Sequence, residues 1–162
     1  MATLSVLEFS TADGAQQMER TLLELQKQHL IEVQDAAIVT WPQGKQQPKT
    51  QQLHSLAGQG ALMGAFWGML FGLIFFIPFF GLAVGVAMGA LSGKFADYGI
   101  DDNFIQQTRE KVTEGTSALF LLTSGAVVDK VVEAMKGQTF EILSTNLSKE
   151  KEDELRAAFG AE

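Results

Sequence analysis

Glycine at every fourth position constrains this chain more than any other feature. Gly60, Gly64, Gly68 and Gly72 form one set, and Gly81, Gly85, Gly89 and Gly93 a second, with Pro78 between them. On a helix, residues four apart lie on one face, so each set reads as a stripe without side chains. A helix-interior glycine costs about 1 kcal/mol relative to alanine, and eight cost on the order of 8 kcal/mol that close backbone packing must offset. The pattern predicts two helices folded into a hairpin at Pro78. No Asp, Glu, Lys or Arg occurs from Leu53 to Gly93, so the hairpin is expected to sit in a membrane and to self-associate.

The first arm, Ala61 to Ile77, measures about 25 Å as a helix, against about 30 Å of bilayer hydrocarbon. Its Leu, Ile and Phe residues each favour insertion by roughly 0.3 to 0.6 kcal/mol, and no charge opposes them. The tip, Phe75 to Phe80, has no polar residue to mark re-emergence into water. A full crossing and a re-entrant hairpin therefore both remain open. Phe66, Trp67, Phe71, Phe75, Phe76, Phe79 and Phe80 are the expected lipid-contacting residues, and Leu70 and Leu73 suit lipid or a neighbouring subunit. Small-xxx-small stripes pack helices closely in membranes, either arm against arm or between copies of the chain. The second outcome makes a homo-oligomer.

The flanks carry every charge in the chain and its net charge of -7. That balance opposes nucleic acid as a partner, which would need clustered Lys and Arg. The chain has no cysteine, which excludes disulfides and thiolate sites. No basic residue precedes the apolar positions of Met1 to Phe9, so no secretory signal is expected there. Lys45, Lys49, Lys94, Arg109 and Lys111 flank the hairpin, and the positive-inside rule places both termini in the cytoplasm.

Thr3 to Phe9 reads as a strand. A helix follows, with Ala15, Met18, Leu22 and Leu25 on its inner face and an end near His29. Ile31 to Trp41 reads as a second strand, with Ile31, Val33, Ala37 and Val39 on one face across an interruption at Asp35. Pro42 to Gln52 is polar and aperiodic and reads as a linker. After the hairpin, Asp101 and Asp102 suit the positive end of a helix that runs to about Val112. Ser117 to Thr123 reads as a buried strand, and Val127, Val128, Val131, Val132 and Met135 as the inner face of a helix closed by Gly137. Thr139 to Thr145 reads as a last strand, and Ser148 caps a charged terminal helix anchored by Leu155 and Phe159. Two β-α-β halves predict a ferredoxin-like α+β sandwich. Residues 1–52 and 95–162 would form one soluble domain, complete without the hairpin of 53–94.

The glycine-periodic hairpin, the run Lys94-Phe-Ala-Asp-Tyr-Gly-Ile-Asp-Asp-Asn-Phe-Ile105, Ser117-Ala-Leu-Phe-Leu-Leu122 and Leu147-Ser-Lys-Glu-Lys-Glu-Asp-Glu-Leu155 together resemble a bacterial family of predicted membrane proteins of unknown function. The resemblance extends over nearly the whole chain, although this hairpin tip is richer in Phe than the usual pattern. It implies a bacterial source and a membrane location, for which the expectation is the inner membrane, and it brings no catalytic residues.

Chemical motifs are sparse. Asp97, Asp101, Asp102 and Asn103 are oxygen-rich, as a hard-cation site would be, but they lack the spacing of a twelve-residue calcium loop and read as helix capping. His29 and His54 have no spacing to further metal ligands. No phosphate-cradling loop or nucleophile motif occurs. The expectation is a non-enzymatic protein without metal or cofactor, whose partners are lipid and copies of itself. It would scaffold or shape the membrane; a hydrophobically gated pore, a ligand-sensing module with an unknown small molecule, and a soluble oligomer with its hairpins buried inside are the alternatives.

Overall fold

A computed structural model describes residues 2–27, 33–46, 48–53, 64–75, 99–124, 133 and 140–159. They form a mixed α+β fold. The strands are β1 (Ala2–Phe9), β2 (Val33–Thr40), β3 (Lys49–Gln52), β4 (Ser117–Ser124) and β5 (Glu141–Leu147). The helices are α1 (Gly14–Lys27), α2 (Gly64–Phe75), α3 (Asp102–Lys111) and α4 (Lys149–Phe159). The sheet order is β3-β2-β4-β1-β5, and every neighbouring pair is antiparallel. β1 and β2 are therefore parallel to one another on either side of β4, and β4 and β5 likewise on either side of β1.

The first half follows its sequence pattern closely. Ala15, Met18, Leu22 and Leu25 are all buried on one side of α1. They pack with Leu7, Phe9, Ala36, Ile38, Leu119 and Leu121 on one face of the sheet. Gly14 is required where α1 begins, because a Cβ there would lie 2.6 Å from Cβ of Phe9. The helix start is completed by a residue far away in sequence. Ser117 Oγ accepts from the backbone N–H of Ala15 at 3.0 Å and donates to the carbonyl of Thr11 at 2.7 Å. It thus serves one of the N–H groups that a helix start leaves without an internal partner.

The interruption at Asp35 is a β-bulge: the β2–β4 register shifts between Val33 and Asp35. A one-residue slip turns side chains to the opposite face. Val33 consequently joins Ala36 and Ile38 on the α1 face, whereas Ala37 and Val39 point to the other. The expected shared face of Val33, Ala37 and Val39 is corrected in this way.

The polar segment after β2 also differs from expectation. Part of it is β3, an edge strand paired with Ala37 to Thr40. Its Lys49, Thr50 and Gln51 are exposed, which suits a short edge strand but erases the apolar alternation by which strands are recognised.

The C-terminal elements agree with their signals. Asp101 caps α3, its Oδ1 accepting from the backbone N–H of Phe104 at 2.9 Å. Ser148 Oγ accepts from the backbone N–H of Lys151 at the start of α4. The helix expected around Val127 to Met135 lies outside the described residues apart from Glu133, which is helical and exposed.

The second face of the sheet carries Leu4, Val6, Ala37, Val39, Phe120 and Leu122, and it is covered by α2 and α3. The boundary expected at residue 53 does not separate two cores: α2 and the strands share one. Among the described residues no helix is long and apolar enough to cross a membrane.

Candidate functional site

The site is the seat of α2 on the sheet. α2 has the sequence GAFWGMLFGLIF, in which the Trp67 indole N–H is the one polar side-chain group. A helix apolar on all sides must be buried on more than one. Phe66, Trp67 and Phe71, expected at lipid, are 1%, 2% and 3% exposed and belong to the core beneath them. Leu70, Leu73 and Ile74 are buried with them, while Met69 and Phe75 are half-buried.

The aromatic rings set the fit. Phe71 meets Phe120 of β4 edge to face, with centroids 4.9 Å apart at 80°. Trp67 stacks on Phe71 at 5.9 Å and meets Phe120 edge-on at 6.3 Å. Such offset and perpendicular arrangements align ring edges with ring faces and add about 0.5–1.5 kcal/mol per pair beyond simple burial. At the end of α2, Phe75 stands perpendicular to Trp41, 5.8 Å away.

Two polar ties fix the helix. The first uses Asp35, which is completely buried in the bulge of β2. An isolated carboxylate there would be very costly, so it must collect donors. Trp67 Nε1–H donates to Oδ2 at 2.9 Å. Gln52 of β3 donates from Nε2 to Oδ1 and Oδ2 at 3.2 and 3.0 Å, and the backbone N–H of Ala36 donates to Oδ1 at 2.8 Å. One carboxylate thereby joins the bulge, the edge strand and α2. Asp35 thus holds these elements together from inside the core.

The second tie is Arg109 of α3. Its Nε–H donates to the carbonyl of Ile74 at 2.9 Å and its Nη2 to that of Leu73 at 2.7 Å. A backbone carbonyl has two lone pairs, so each of these can accept from a guanidinium N–H, a charge-assisted hydrogen bond. The sequence places Arg109 among the basic flanks of the hairpin; the structure gives it this contact with α2 as well.

A further charged group lies where α3 meets the β1–β5 seam. Glu8 and Glu141 are directly opposite in the ladder, and Lys111 at the end of α3 pairs with Glu141. Burial raises the Glu8 carboxyl above the ordinary glutamate range, the Glu141 charge adds to this, and Lys111 opposes it. Lys111 is raised in turn, chiefly by its hydrogen bond to Glu141.

Of the glycine stripe, Gly72 is buried and Gly68 half-buried within α2, and Gly64 is its first residue. Gly60, Gly81, Gly85, Gly89 and Gly93 lie outside the described residues, as do Phe76, Phe79, Phe80, the expected turn at Pro78, Asp97 and both histidines. Among the described residues, no group of three or more His, Cys, Asp or Glu side chains could hold a metal ion.

The fold and the seat define an α+β domain that holds an apolar helix on its sheet through a buried carboxylate. Residues 61–160, which begin within the apolar stretch and run through α4, match the family described as "Protein of unknown function (DUF1269)", and the chain belongs to that family. No curated protein and no solved structure matches the chain.

Proposed function

We propose that the chain is a non-enzymatic bacterial membrane protein that self-assembles through its glycine-repeat stretch and acts as a scaffold on the cytoplasmic side of the inner membrane. Its domain is read as ferredoxin-like, a reading supported by the order β2-β4-β1-β5 that remains once the edge strand β3 is set aside. The observation that carries the proposal is the seat of α2. A flexible tether would let an apolar hairpin and a domain move independently, whereas the Asp35–Trp67 and Arg109 ties make the first part of the stretch a layer of the domain. Force and orientation then pass directly between the two. The remaining glycine repeats, from Gly81 to Gly93, supply the close-packing surface for copies of the chain, because in lipid close backbone contact is what drives helices together.

The same burial of Phe66, Trp67 and Phe71 favours one other reading, a soluble oligomer that encloses its apolar stretches. Membrane fractionation with an alkaline wash separates the two. The proposal expects the protein to stay in the washed membrane pellet, with reporter fusions at Met1 and Glu162 both active in the cytoplasm. Recovery in the soluble fraction as a large particle would establish the other reading.

A further inference from the structure

We infer that the end of the domain formed by Trp41, Phe75 and Arg109 is the surface that rests on the lipid bilayer, and that α2 stays seated on the sheet while it does so. The inference rests on the membrane reading above and adds to it an orientation and a contact surface. Trp41 follows the last residue of β2 and is only partly buried. Its ring stands against Phe75, the last described residue of α2, and its indole N–H donates to the carbonyl of Lys45 at 2.9 Å. Arg109 reaches Leu73 and Ile74 of α2 from α3 at this same end. A partly exposed indole with its polar group satisfied, an adjacent Phe and a long cationic side chain are the residue types that favour the boundary between headgroups and acyl chains.

What selects lipid as the occupant is the chain that continues from this point. After Phe75 the sequence carries no charged residue until Lys94. If that run lies in lipid, its entry point lies at the lipid surface, and Trp41, Phe75 and Arg109 surround it. The same end also bears the carboxylates of Glu8, Glu110, Glu114 and Glu141 against Lys45, Arg109 and Lys111. Attraction to anionic headgroups is therefore not its basis, and added salt should leave attachment unchanged.

The two tryptophans make this testable, because they are predicted to behave oppositely. The full chain is reconstituted into phosphatidylcholine vesicles, plain or brominated near the headgroup end of the acyl chains, and tryptophan fluorescence is compared for wild type and Trp41→Phe. The wild type should lose fluorescence to the brominated lipid. The variant, reporting Trp67 alone, should not. Equal quenching of both proteins would place Trp67 in lipid and overturn the seated α2; quenching of neither, in protein that floats with the vesicles, would show that this end faces away. Protein that does not float with the vesicles would refute the membrane reading itself. Since the chain has no cysteine, Lys45→Cys carrying a polarity-sensitive dye gives an independent readout. Its emission should shift to the blue on reconstitution, while the same dye on Lys27→Cys, at the far end of α1 from Trp41, should not respond; the reverse pattern would overturn the orientation.

Discussion

At the scale of single residues, the fold depends on groups whose partners are distant in sequence. Gly14→Ala would drive a methyl group into Phe9, whose ring is also held against Phe140 at 5.7 Å. Overpacking of this kind costs about 1–3 kcal/mol, which a lowered urea midpoint would reveal. Ser117→Ala removes the acceptor at the start of α1 and should cost about 0.5–2 kcal/mol. Glu8 gives the opposite sign. Its carboxyl is raised in the folded protein, so the folded state holds that proton more tightly than the unfolded chain does. Its contribution favours folding below the ordinary glutamate range and is lost as pH rises through the raised folded value. Glu8→Gln should therefore be more stable than wild type at neutral pH, with the gap closing on acidification. A variant that is less stable at neutral pH would contradict the argument. None of these groups announces its role in sequence: Ser117 reads as the start of a strand, and only the folded chain brings it to Ala15.

At the scale of elements, the decisive contact is between α2 and the bulge of β2. Asp35→Asn keeps the shape of the side chain but places an amide donor where Trp67 or Gln52 needs an acceptor. Leaving a buried donor without its acceptor costs about 1–3 kcal/mol, and the loss should appear as weaker protection of α2. The sequence did make much of this legible. α1 declared its inner face through helical spacing, and Asp101 and Ser148 declared two helix starts, because those signals are local. An acidic residue within the apolar strand around Asp35 was visible too, as an interruption. Its meaning was not, because a bulge and a buried carboxylate are told apart from a strand break only by what comes to meet them, here Trp67 and Gln52. β3 was missed for a similar reason: its side chains are polar, and its strand character resides in backbone pairing with β2.

At the scale of the whole molecule, α2 changes what counts as the core. Phe66, Trp67, Leu70, Phe71, Leu73 and Ile74 are all buried. At about 1.5–3 kcal/mol each, their burial is comparable to the entire net stability of a typical domain, about 5–15 kcal/mol. The sequence suggests that the flanks are complete once the hairpin is removed, because apolarity alone does not distinguish a side chain buried by lipid from one buried by a sheet. The structure gives the reason to expect otherwise: α1 covers one face of the sheet, and Leu4, Val6, Phe120 and Leu122 on the other need α2. A variant with residues 53–94 replaced by a short Gly/Ser linker should aggregate or bind a hydrophobic dye, whereas a monodisperse, cooperatively unfolding product would show that the flanks suffice.

The central claim is that α2 is a fastened layer of the domain even when the protein is at the membrane. Amide hydrogen exchange of residues 64–75 in the membrane-bound protein, wild type beside Asp35→Asn, tests it most directly, because only a helix held by Asp35 responds to that change. The account predicts protection of α2 close to that of β1 and β4 in wild type, and distinctly faster exchange of 64–75 in the variant. Identical exchange of 64–75 in the two proteins would contradict it.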